Sequence, residues 1–126
     1  MYYNDKIAAQ NLGALGEDMV AEYLRKNGYI VIKRNFKSRF GEIDIIAETK
    51  TEIIFVEVKT RTEDSLVSGV EAVDFYKAER IRKTALGFLS RIKIDLVPRF
   101  DVAEVTVYNR PDNSVGYKLK YVKSAF

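Results

Sequence analysis

The chain predicts an α/β fold with an αβββαβ core: a mixed central sheet flanked by two helices, in a single domain over residues 1–126. Three observations carry this expectation. Two runs, 41–47 and 53–59, alternate apolar and mixed positions across a short turn, which is the period of paired β-strands. Two longer stretches, roughly 5–26 and 73–91, recur instead at helical spacing. The second of these lies between strand-like runs, and a strand–helix–strand crossover implies a parallel, right-handed connection. The hairpins are antiparallel, so the sheet is mixed.

The elements follow in order. In the first helix, Leu12, Leu15, Met19, Val20, Tyr23 and Leu24 share a face, Gly13 and Gly16 signal close packing or a break, and Asn27-Gly28 is a stop. Residues 29–36 are β-rich and read as the first strand, and 37–40 as a short basic loop. The hairpin supplies strands two and three. Residues 61–69 are polar and read as a loop. Ala78, Ile81, Ala85, Phe88 and Leu89 form the apolar stripe of the second helix. Pro98 precedes a strand over 99–108. Pro111, Asp112 and Asn113 mark a turn, and Val115, Tyr117, Leu119 and Tyr121 alternate with Lys118 and Lys120 in a last strand. There is no internal repeat, linker or low-complexity segment.

The hairpin is the most informative segment. Closed symmetrically over Thr49, Lys50, Thr51 and Glu52, it sets Asp44 opposite Glu57 and Glu42 opposite Lys59. Period 2 puts Ile43, Ile45 and Ala47 on one face with Ile54, Val56 and Val58, an apolar face that must be core. The other face carries the two carboxylates, with a lysine two residues on. Like charges facing across strands cost a few tenths to about 1 kcal/mol. They are therefore either well solvated, as on an ordinary amphipathic hairpin, or used together, with a divalent cation turning repulsion into attraction.

Composition narrows the chemistry. With 126 residues, 47% hydrophobic and 31% charged, the chain can build one core. No apolar run approaches the about 20 residues that span a bilayer, so no membrane is expected. The N-terminus has no signal-peptide pattern, which makes a cytoplasmic location the expectation. Cysteine and histidine are both absent. This removes disulfides, thiolate or imidazole metal ligands, Ser-His-Asp triads and cysteine nucleophiles. Any metal must sit on oxygen ligands, pointing to Mg²⁺, Mn²⁺ or Ca²⁺.

The net charge of +3 is small, but basic residues are clustered. Lys33, Arg34, Lys37 and Arg39 precede the hairpin, Lys77, Arg80, Arg82 and Lys83 decorate the second helix, and Lys118, Lys120 and Lys123 lie near the end of the chain. Such patches neutralise phosphates in a sequence-independent, salt-sensitive way, although a solvated helix face has the same look. Among the aromatics, Tyr2, Tyr3, Phe36 and Phe40 are candidates for stacking on unpaired bases, with core packing as the plain alternative.

Taken together, Gly41-Glu42-Ile43-Asp44, a short turn and Val56-Glu57-Val58-Lys59 in an αβββαβ frame resemble the PD-(D/E)xK nuclease superfamily, which includes type II restriction enzymes and archaeal Holliday junction resolvases. More closely, the chain resembles the YraN-like bacterial proteins. The similar stretches are Gly16-Glu17, Asn27-Gly28-Tyr29, Asn35, Gly41 to Ala47, Phe55 to Arg61 and Arg99-Phe100-Asp101-Val102, covering nearly all of the chain. Where that superfamily often has proline before its aspartate, this chain has Ile43.

The resemblance implies a restriction-endonuclease-like fold and a Mg²⁺- or Mn²⁺-dependent endodeoxyribonuclease acting on structured or branched DNA without sequence specificity. It implies Asp44, Glu57, the main-chain carbonyl of Val58 and the first-helix Glu17 as metal ligands. Lys59 would be an electrostatic partner of phosphate or of the attacking water, completing a catalytic set of Asp44, Glu57, Lys59 and Glu17. Lys37, Arg39, Arg61, Lys77, Arg80 and Lys83 are the residues expected against nucleic acid. Junction resolvases further imply a homodimer. Two other classes stay open: a nucleic-acid-binding module of the same fold with little or no catalysis, and an interaction subunit acting within a larger complex. Asp101 has a simpler expected part, as a salt-bridge partner of a basic residue such as Arg99.

Overall fold

A computed structural model describes residues 9–63 and 73–126. Helix α1 (Ala9–Lys26) leads into strands β1 (Ile30–Ser38), β2 (Gly41–Glu48) and β3 (Glu52–Thr62). Helix α2 (Phe75–Leu89) precedes β4 (Val97–Asn109) and β5 (Val115–Val122). The strands lie side by side in the order β1-β2-β3-β4-β5. Only the β3–β4 pair is parallel, so the sheet is mixed, as the crossover requires.

Each face of the sheet has its own helix. Val20, Ala21 and Leu24 of α1 pack on Ile45, Ala47, Ile54, Val56, Ala103, Val105 and Val107. Ile81 and Ala85 of α2 pack on Ile43, Ile46, Ile53 and Phe55. The central strands are covered on both sides, which is why β2 and β3 read as nearly continuous apolar runs. Close approach of α1 depends on Gly16, where a Cβ would overlap Thr60 of β3. Close packing, and not a break, is thus the reason for glycine there. The helix ends as expected: Gly28 adopts φ 85°, and the Tyr29 N–H donates to the Leu24 carbonyl at 2.9 Å.

The hairpin register is the symmetric one, with Ile45 opposite Val56 and Ala47 opposite Ile54. Several boundaries differ from expectation. Residues 37–38, assigned to a basic loop, extend β1, and the connection shrinks to a tight turn at Arg39 and Phe40. β3 continues through Thr62, so Arg61 is in the sheet and not in the loop. Pro98 lies within β4, in the second pair of the β3–β4 ladder, opposite Ile53. The rest of the expected 61–69 loop from residue 64 onward, the start of the first helix, and Tyr2 and Tyr3 lie outside the described residues.

The hairpin's second face is also not a wet face. Near the turn it is core, formed by Ile46, Ile53 and Phe55, and only toward the open end does it become charged. Ile43 belongs to this α2-side cluster and not with Ile45. The reason lies in β1, where Asn35 takes φ 53° between the pairs Arg34–Ile45 and Phe36–Ile43. A left-handed residue in a strand breaks the two-residue alternation locally. Phe36 is turned into the same cluster, packing edge-on against Phe88 at 5.1 Å, so it is a core residue and not a stacking surface.

On the α1 face, Asp101 is fully buried and organises a network. It accepts from Arg99 Nε at 2.9 Å and Nη2 at 2.8 Å, from the Tyr121 hydroxyl at 2.6 Å, and from the Ser124 N–H at 3.0 Å. Arg99 also donates to Glu52 and to the Tyr29 hydroxyl, tying β3, β4, β5 and the strand entry together. The expected Arg99–Asp101 pair is therefore structural. Hydrogen bonding to Asp101 raises the Arg99 pKa, and burial raises that of Tyr121.

Candidate active site

The open end of the β2–β3 hairpin, the β1–β2 turn and the first turns of α2 enclose a cleft of about 530 Å³. It is lined by Ser38, Arg39, Phe40, Gly41, Glu42, Asp44, Glu57, Lys77, Arg80 and Ile81, so both hairpin carboxylates face one space.

Local structure explains how. The β2–β3 ladder is regular to Ile45–Val56, and the next step brings Asp44 level with Glu57. There the carboxylate of Asp44 accepts the Val58 N–H at 2.8 Å. Val58 is tied to the site through this N–H. Burial pushes the Asp44 pKa up from 3.8 to about 7, with the Glu57 charge adding to the rise, the Val58 hydrogen bond opposing it, and Glu17 and Glu42 contributing further. Near neutral pH this carboxyl is poised between its two forms.

Glu57 is only 9% exposed at its side chain and is held by Lys77, whose Nζ lies 2.7 Å from Oε1. Lys77 reaches it because Asp74 caps α2, accepting the Lys77 N–H at 2.8 Å and fixing the first turn. Lys77 is therefore a cleft residue paired to a site carboxylate, whereas the sequence placed it on an outward basic face. Arg80, one helical turn on, lines the same cleft. The β1–β2 turn is shaped by Ser38, whose Oγ accepts the Phe40 N–H at 3.0 Å and donates to the Thr84 hydroxyl of α2 at 3.3 Å.

Glu17, on the helix of the opposite sheet face, is near enough to raise the Asp44 pKa, and its own carboxylate sits 3.6 Å from Arg34. Arg34 is engaged by Asp18 at 2.8 Å as well, so it is not part of an outward basic patch. Lys59 is half-buried two residues beyond Glu57, level with Glu104 of β4. Arg61, expected against nucleic acid, is largely buried beside Glu104 at 3.6 Å. Lys37, Arg39, Arg80 and Lys83 are exposed. Among the described residues, no three acidic groups converge closely enough to hold a metal ion together.

Glu104 was missed by sequence reasoning. It is 8% exposed, and its Oε2 is a buried oxygen without a hydrogen-bond partner. No local signal marks it, because its neighbour Lys59 becomes adjacent only through the parallel β3–β4 register.

The profile of an uncharacterised protein family, UPF0102, matches residues 16–105. The chain belongs to this family. Similar UPF0102 proteins occur in Caldanaerobacter subterraneus subsp. tengcongensis (40% identity over 122 residues, 96% of this chain and 98% of the relative). Others are found in Clostridium botulinum strain 657 (40% over 128 residues, 100% and 98%) and Alkaliphilus metalliredigens (40% over 121 residues, 94% and 99%). The UPF0102 match spans Glu17, the hairpin, α2 and Glu104, and stops before β5. No described helix is long and apolar enough to cross a membrane.

Proposed function

We propose that this UPF0102 protein is a metal-dependent nuclease of the PD-(D/E)xK type, hydrolysing phosphodiester bonds in structured or branched DNA without sequence specificity. The observation that carries this is the convergence of Asp44 and Glu57 in one cleft beside Lys77 and Arg80, with the Asp44 pKa lifted to about 7.

The donor set fits a hard divalent cation. Two carboxylates whose charges oppose each other gain from a cation between them. Mg²⁺ in particular takes one or two carboxylates and keeps several waters. Asp44 and Glu57 would hold Mg²⁺ or Mn²⁺, with the Val58 carbonyl as a further ligand implied by the resemblance. Glu17, which the resemblance also implies, faces Arg34 and does not converge with the two carboxylates closely enough to complete a three-carboxylate site. When bound, such an ion supplies charge relief at the phosphate and a more acidic water. The Val58 N–H keeps Asp44 oriented, and Lys77 and Arg80 meet phosphate oxygens at the cleft wall. Lys59 supports the site electrostatically from the same strand. A homodimer would set two clefts on one symmetric branched substrate.

The decisive test is cleavage of a labelled panel of duplex, single strand, flap, nicked duplex and four-way junction in Mg²⁺, Mn²⁺ and EDTA, with Asp44→Asn alongside. Metal-dependent cutting that is lost in the variant is expected. A second reading, a nucleic-acid-binding module with little or no catalysis, is favoured by one observation: Lys77 already neutralises Glu57 without a cation. Salt-sensitive binding without cutting in any metal would select it.

A further inference from the structure

The cleft wall and the start of α2 carry aromatic surface that the core does not use. Phe40 is 39% exposed, and Phe75 and Tyr76, packed edge-on at 5.6 Å, are 70% and 78% exposed. Leaving such rings wet forgoes a large apolar contribution to folding. They are not scattered. Tyr76, Arg80 and Lys83 follow the i, i+4, i+7 spacing of one helix face. The Lys83 Nζ then lies 5.8 Å from the Phe40 ring, and the guanidinium of Arg39, its neighbour in the turn, lies 4.8 Å from the same ring. Phe40 is held there by the Ser38 turn and its bond to Thr84. The result is a track, Tyr76–Arg80–Lys83–Phe40, whose Arg80 and Phe40 line the cleft that contains Asp44 and Glu57. At 1.5 Å rise per residue, Tyr76 and Lys83 are separated by about 10 Å, room for about three stacked nucleotides at 3.4 Å each.

Rings at both ends with positive charges between them suit a polyanion with exposed flat faces. A paired duplex presents only base edges in its grooves, whereas an unpaired strand presents the faces of its bases for stacking. An apolar peptide partner would find Arg39, Arg80 and Lys83 in its way.

We infer that this site takes nucleic acid through an unpaired stretch, its bases stacking on Phe40 and Tyr76 and its phosphates following Arg80 and Lys83 toward Asp44 and Glu57. The binding step stands on the aromatic–basic track. Delivery to the carboxylates rests on the nuclease reading above.

Binding is measured by anisotropy in EDTA, so that cleavage plays no part, using a labelled oligothymidylate of about a dozen nucleotides and a blunt duplex of equal length. The oligothymidylate should bind more tightly. Phe40→Ala and Tyr76→Ala should each weaken it by about fivefold or more with little change for duplex, while Tyr76→Phe should bind as wild type. The chain has no tryptophan, so Tyr76→Trp provides a clean reporter. Its fluorescence should be quenched by oligothymidylate and not by duplex. Equal affinity for the two ligands, wild-type affinity in both alanine variants, or an unquenched Tyr76→Trp would overturn the inference. A quenched, tightly binding protein that cuts nothing in the metal panel would remove the nuclease reading and leave the track standing. Cutting with no quenching would do the reverse.

Discussion

The carboxylate of Asp44 accepts the backbone N–H of Val58 at 2.8 Å, where β2 and β3 cease to pair backbone to backbone. This bond orients Asp44 toward Glu57 in the cleft while favouring the ionised form. Burial and the Glu57 charge outweigh it, and the pKa rises to about 7.

Stability should therefore depend on pH through Asp44. Its native pKa lies above its ordinary 3.8, so the folded protein holds the proton more tightly than the unfolded chain between pH 3.8 and about 7. Stability from this group is present at low pH and is lost as pH rises through that window. The full shift corresponds to roughly 4 kcal/mol, reduced by partial solvent access. Asp44→Asn should be more stable than wild type at pH 8 in EDTA, by about 1–3 kcal/mol, with the gain shrinking toward pH 4. Urea denaturation at several pH values checks this; a pH-independent difference would contradict it.

Metal binding should follow the same proton. A cation needs Asp44 ionised, so Mn²⁺ affinity should climb up to about pH 7 and level off above it. Calorimetric titrations across this range give the profile. The rise in melting temperature produced by Mn²⁺ should disappear in Asp44→Asn.

Lys77 should have opposite effects on the two ligands. Its ammonium competes with a cation for Glu57 and attracts phosphate. Lys77→Ala should strengthen Mn²⁺ binding by about two- to fivefold, the scale of a partly exposed ion pair. It should weaken DNA binding and lower the salt slope. Loss of both affinities would mean that Lys77 holds the cleft together and has no separate part in either interaction.

The Arg99–Asp101 pair should matter for stability and not for the cleft, because it lies on the α1 face. Asp101→Ala strands a buried guanidinium and should cost about 3–5 kcal/mol. Tyr121→Phe removes one of several donors to Asp101 and should cost about 1 kcal/mol. Thermal melts rank the two, and Tyr121→Phe should leave Mn²⁺ and DNA binding unchanged.

Local pattern alone determined much of this protein. Period 2 and a symmetric turn set the β2–β3 register, and that register brings Asp44 level with Glu57. The helix between β3 and β4 determined their parallel pairing, and Gly16 signalled close approach to the sheet. These depend on neighbours in sequence or on rules of chain connection. Only the tertiary structure decided that Ile43 turns to the α2 face, since that follows from a left-handed Asn35 in another strand. It likewise decided that Lys77 pairs with Glu57, that Glu104 is buried beside Arg61, and that Glu17 reaches Asp44 electrostatically from the far helix. Charge–charge coupling and desolvation are set by distances through space, and neither leaves a period in the sequence.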